Sequence, residues 1–240
     1  MKKILSDIDP VQLARLAVER FSCRMPQPVS ELRFGSEYEL IVAVMLSAQC
    51  TDARVNKVTP VLFKRFPDFE TLAKSDVDEI FEYVKSVSYP NSKALHLLQM
   101  SNMVVDRFSS ALPHSVELLT TLPGVGAKTA CVVASILWDI PVIPVDTHVF
   151  RVSARLGLTI NAKTPDAARY QLESVFNTHG EYSLTAEDAV FNKSICKNIH
   201  HWLVLHGRYI CKARVPMCNK CFLTDLCKAY NSKIFDFVKI

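Results

Sequence analysis

Residues 122–130 read L-P-G-V-G-A-K-T-A. The apolar run E-L-L-T-T (Glu117–Thr121) precedes them, and K-T-A-C-V-V-A-S-I-L-W (Lys128–Trp138) follows. The pattern predicts a helix, a tight glycine turn and a second helix. Gly124 and Gly126 accept positive φ at little cost. The turn from Leu122 through Gly124, Val125 and Gly126 would then present backbone N–H groups at a helix N-terminus, a nest that suits a phosphate. Contact through the backbone alone is blind to base sequence. The same residues also fit a plain αα-hairpin. They do not form a Walker A loop, because the G-x4-G-K-[ST] spacing is absent.

Lys128 falls in the first turn of the second helix. It is either a solvated point charge or a nucleophilic amine. Its neighbours Ala130, Cys131 and Val132 are apolar. Desolvation beside the positive helix end would disfavour the ammonium form, and an amine so tuned can form a Schiff base. Eighteen residues on stands V-D-T-H-V (Val145–Val149). Asp146 is in position to cap the helix that follows. A carboxylate there can also take a proton from Lys128 or stabilise a developing sugar cation.

Working outward, apolar spacing predicts helices at 11–22, 37–49, 52–66, 68–74, 76–87, 93–109, 115–121, 127–138, 147–156, 165–177, 186–192 and 194–206. Asn91 or Ser92 is the expected cap of the helix at 93–109, after the interruption at Pro90. No strand pair with a hairpin turn is evident, so the fold class is all-α. The composition agrees: hydrophobic residues are 49%, charged residues 22%, and there are only 6 Gly in 240 residues. These values exclude a mainly disordered or collagen-like chain.

Eight cysteines are unevenly placed. Cys23, Cys50, Cys131 and Cys196 lie within apolar helices and read as small buried hydrophobes. Cys211, Cys218, Cys221 and Cys227 form C-x6-C-x2-C-x5-C within 17 residues. Short loops bring four thiolates together readily. Disulfides are disfavoured without a sign of secretion. Zinc and a [4Fe–4S] cluster both remain open, with the single x2 knuckle tipping slightly toward the cluster.

Charge is also uneven. The net charge is +4, yet residues 191–240 carry +7 and residues 1–190 carry −3. A basic region on a near-neutral body suits an anionic partner, nucleic acid first, or is a solvated tail. Met1–Asp9 contains no apolar leader, and the longest apolar stretch, Cys131–Val145, is broken by Asp139 and two prolines. These features predict a soluble protein with no membrane partner. A bacterial-type cytoplasmic setting is the default expectation, with nuclear or organellar residence left open.

The separate motifs converge. L-P-G-V-G-A-K-T-A, V-D-T-H-V-F-R-V, H-H-W-L-V-L-H-G-R-Y, the cysteine tail, L-S-A-Q-C-T-D (Leu46–Asp52) and N-S-K-A (Asn91–Ala94) together resemble the endonuclease III family. The likeness runs from about residue 30 to residue 228. It implies a two-lobed helix–hairpin–helix DNA glycosylase fold. A six-helix barrel would span 31–140, with the hairpin at about 115–138. Residues 1–30 and 141–240 would form a second helical lobe with a [4Fe–4S] loop at 211–227. The implied activity is base-excision repair: removal of oxidised pyrimidines such as thymine glycol from duplex DNA, then strand cleavage by β-elimination, by a monomer. The resemblance makes Lys128 the Schiff-base nucleophile, Asp146 its carboxylate partner, and Cys211, Cys218, Cys221 and Cys227 the cluster ligands. Leu122, Gly124, Val125, Gly126, His148, Lys212 and Arg214 would contact DNA. Gln49 would fill the gap left by a flipped nucleotide.

Two departures from the family pattern stand out. Ser88-Tyr89-Pro90 replaces a Gly-Leu-Tyr stretch, so Tyr89 falls where a leucine wedge enters the base stack. An aromatic ring can fill that role by stacking. The Thr159–Ile199 region is about ten residues longer than usual, which suggests an extended surface loop around Gly180–Glu187. Among rivals, an adenine mismatch glycosylase lacks the hairpin lysine and carries an early catalytic glutamate, whereas Ile41–Leu46 holds no acid. A non-catalytic helix–hairpin–helix binding module would need no tuned lysine.

Overall fold

In a computed structural model, the structure describes residues 8–176 and 186–234, without the side chains of 186–194. The described residues are helical with irregular connections and contain no strand. None of their helices is long and apolar enough to cross a membrane. The chain divides into two compact units: Ser30–Trp138, and Met1–Val29 with Asp139–Ile240.

The first unit contains α2 (Glu37–Ser47), α3 (Asp52–Arg65), α4 (Phe69–Ala73), α5 (Val77–Val84), α6 (Pro90–Phe108), α7 (Val116–Leu119) and α8 (Ala127–Leu137). Helix α2 is buried on every side from Leu40 to Leu46, as expected for a helix without a polar stripe. It packs against α3, α6 and α8. Side-chain caps start most of these helices. Ser36, Thr51, Asp68, Asp76 and Ser115 each accept an N–H of the following first turn.

The second unit contains α1 (Pro10–Arg24), α9 (Thr147–Leu156), α10 (Pro165–Phe176), α11 (Ala186–Tyr209), a 3-10 turn (Cys218–Lys220) and α12 (Lys228–Ser232). Phe21 stacks on Trp202 at 5.5 Å, and the Trp202 indole donates to the Met25 carbonyl at 2.8 Å. These contacts tie α1 to α11 in one core.

Three sequence expectations need correction. Helix α6 starts at Pro90, not at 93, and its N-cap is Tyr89 instead of Asn91 or Ser92. Proline fits the first helical position, where no N–H is needed. The helices expected at 186–192 and 194–206 are one, because no Gly or Pro interrupts them. Gly126 has φ −82°, so only Gly124 in the turn is left-handed, at φ +76°. Residues 177–185 of the expected loop around Gly180–Glu187 lie outside the described residues, and Ala186 already opens α11.

Candidate functional site

In the Ser30–Trp138 unit, the hairpin joins α7 to α8. Leu122 and Val125 are buried and anchor the turn, closed by a Val125 N–H to Leu122 carbonyl bond of 3.1 Å. A Cβ on Gly124 would lie 2.7 Å from His96 Cβ and 2.8 Å from Met45 Cε, so α6 and α2 press on the turn from behind. The opposite side is open: a Cβ on Gly126 would meet nothing within 4 Å. Gly126 caps α8 with no side-chain bond.

Lys128 stands exposed in the first turn of α8. Ala130 and Cys131, expected to desolvate it, instead face the core at 0% and 4% exposure. Ala130, about 200° round the cylinder, lies on the opposite face from Lys128, and Cys131 is buried against other elements. The expectation of an amine buried by its own chain neighbours is therefore overturned.

Gln49 and Tyr89 belong to the same unit. Both are exposed and both adopt left-handed backbone, at φ 54° and 55°. Ser88 Oγ donates to the Gln49 carbonyl at 2.7 Å, so the two turns are joined.

The other unit holds Asp146. It caps α9, its Oδ1 accepting the N–H groups of His148 and Val149 at 2.9 and 2.8 Å. His148 is half-buried, and burial is the main cause of its lowered pKa. Its Nδ1 lies 3.2 Å from Arg151 Nη2. Gly207 makes room for this ring, since a Cβ there would lie 2.9 Å from His148 Cβ.

Cys211, Cys218, Cys221 and Cys227 are half-buried free thiols that line one pocket with Val152, Leu156 and Ile210. Burial pushes the Cys221 thiol up to about 11 and raises Cys218 and Cys227. Among the described residues, no three His, Cys, Asp or Glu side chains converge as ligands of one ion. Lys212 and Arg214 are exposed on the first segment of this loop. Arg155 holds that segment, donating to the carbonyls of Lys212 and Ala213 at 2.7 Å each. Arg151 donates to the Gly207 and Cys211 carbonyls at 3.0 and 3.2 Å.

This chain is 39% identical to an endonuclease III of Rickettsia felis over 223 residues, covering 93% of this chain and 97% of the relative. It is 38% identical to that of Escherichia coli K12 over 209 residues, covering 87% and 91%. Residues 42–178 match the model of the HhH-GPD superfamily base excision DNA repair proteins. The chain belongs to the endonuclease III family.

The fold comparison agrees. A trapped covalent intermediate of an endonuclease III with DNA superimposes with TM-score 0.81 at 32% identity, covering 94% of this chain and 99% of that one. Two residues of this family member escaped the sequence reading, Arg151 and Arg155. Both are buried to 7% exposure on α9, beside the core residues Val149, Phe150, Val152 and Leu156. The available signal was two arginines four positions apart within the core-facing stripe, where an unpaired charge would be costly.

Proposed function

We propose that this endonuclease III family member, a base-excision-repair DNA glycosylase and AP lyase of duplex DNA, works through Lys128 as a Schiff-base nucleophile on oxidised pyrimidines of the thymine glycol type. The observation that carries it is Lys128 itself, exposed in the first turn of α8 behind a turn too tight for any side chain at Gly124. With the amine outside the protein core, bound DNA must strip its water. The backbone of Leu122, Gly124, Val125 and Gly126 grips phosphate while the damaged nucleotide leaves the stack, because C1′ is inaccessible within it. Lys128 Nζ bonds to C1′ and gives up a proton, and the C1′–N bond breaks with its electron pair leaving on the base. Asp146 stabilises the positive charge that develops on the sugar. The C1′–O4′ bond then breaks with its electron pair leaving on O4′, which takes a proton, while the Nζ lone pair forms the C1′=N iminium; this acidifies the C2′ proton, whose removal expels the 3′ phosphate by β-elimination. His148 donates to the DNA backbone, as do Lys212 and Arg214.

Cys211, Cys218, Cys221 and Cys227 would hold a [4Fe–4S] cluster. Their fit rests on four half-buried cysteines of one short C-x6-C-x2-C-x5-C loop lining a single pocket, a donor set of the kind that holds such clusters. When bound, the cluster cross-links the loop that carries Lys212 and Arg214. Purified protein should contain iron and acid-labile sulfide in equal amounts. Zinc in their place removes the cluster from this scheme. We place the protein in the cytoplasm as a monomer acting on nucleoid DNA, in keeping with its bacterial relatives.

Borohydride trapping tests the mechanism. A duplex with one thymine glycol or abasic site should yield a covalent adduct with the parent protein. Lys128→Gln should give none while still binding the duplex. A folded parent that binds DNA without forming adduct would leave only a monofunctional glycosylase or a binding module.

A further inference from the structure

Gln49 and Tyr89 occupy a conformation that disfavours both side chains. Each is a non-glycine residue in the left-handed region, exposed, at the end of one helix or the start of another. Such backbone persists where the surroundings impose it, and it concentrates at functional positions. Glycine or asparagine would occupy either turn with less strain. Both turns are bonded to, or directly beside a bond from, Lys93.

Lys93 is only 8% exposed, unusual for a lysine. Its ammonium donates to the carbonyls of Leu46 at 2.8 Å and Ala48 at 2.7 Å, at the C-terminal end of α2 just before Gln49. Two carbonyl acceptors and the negative end of a helix offset the cost of burying this charge. Its backbone N–H donates to the Tyr89 carbonyl at 3.1 Å, the first bond of that helix. Ser88 adds the bond to the Gln49 carbonyl. One residue thus fastens the turn bearing Gln49 to the turn bearing Tyr89. One turn further along α6, His96 packs behind Gly124, so the same helix also registers the pair against the hairpin.

We propose that Lys93 is a positioning residue that holds Gln49 and Tyr89 as a preset pair of probes, and so sets how strongly the protein prefers damaged over intact duplex. An amide matches the hydrogen-bonding edge of an unpaired base, and a phenol ring stacks on a base face. Two probes held at fixed separation lose little freedom on entering a stack, whereas loose ones must be ordered at each encounter. This rests on the glycosylase reading above.

The test uses a duplex with a tetrahydrofuran abasic analogue and 2-aminopurine as the facing base. Fluorescence reports entry into the stack, and titration gives affinity for this duplex and for its intact counterpart. In Lys93→Met the ratio of the two affinities should fall at least about tenfold, the scale of two lost charge-assisted bonds, and the 2-aminopurine response should weaken. Ser88→Ala should move both readouts the same way by a smaller factor, and it decides alone if Lys93→Met does not fold. A merely structural role would lower the melting temperature while leaving the ratio and the fluorescence response of folded protein at parental values. That outcome overturns the proposal. If the parent itself shows neither preference for the abasic duplex nor Lys128-dependent borohydride adduct, the underlying glycosylase reading fails instead.

Discussion

Gly124 and Gly126 stand two residues apart and meet opposite constraints. Gly124 has φ +76° and no room behind it, while Gly126 has ordinary φ and open space. Gly124→Ala should therefore destabilise the protein by about 2 kcal/mol or more, from left-handed strain plus contact with His96 and Met45. Gly126→Ala should stay within about 1 kcal/mol of the parent. Urea titration of the two variants checks the contrast. Equal losses would mean that the turn is not braced by α6 and α2. Sequence could name both glycines but not tell them apart, because the distinction comes from His96 and Met45, remote in the chain. Asp146 was legible as a cap, since that role needs only the N–H groups two and three residues ahead.

At the scale of the element, α11 shows how burial sets chemistry. His201 faces the core, and burial above all, then the neighbouring His200, lowers its pKa to about 3. Below pH about 6.5 the unfolded chain takes up a proton that the folded chain refuses, so stability falls as pH drops from 6.5 toward 3 and is unaffected by this group above that window. The contribution approaches about 1.4 kcal/mol per pH unit. Urea midpoints between pH 6.5 and 5 should fall less steeply in His201→Phe than in the parent; parallel slopes would show that His201 is hydrated. The helix itself was readable from its apolar spacing, but its continuity through residue 193 was not. Nor was the start of α6 at Pro90, because its cap at Tyr89 is left-handed and makes no side-chain capping bond.

On the scale of the whole molecule, the +7 charge of residues 191–240 meets the solvent in part through exposed Lys212 and Arg214. Duplex affinity should fall steeply with salt, and neutralising either residue as Lys212→Gln or Arg214→Gln should reduce the log–log slope by about one. Unchanged slopes would move the DNA contact elsewhere. The spacing of apolar residues, the capping side chains, the glycine turn and the four clustered cysteines could be read along the chain, and they determined an all-helical member of this family. Each depends on neighbours within a few residues, which sequence displays directly. Tertiary structure alone decided which charges are solvated. Lys128 lies open despite its apolar neighbours, whereas Lys93, Arg151 and Arg155 lie buried on backbone carbonyls from other parts of the chain. Solvation depends on what packs over a side chain, and that comes from residues far away in sequence.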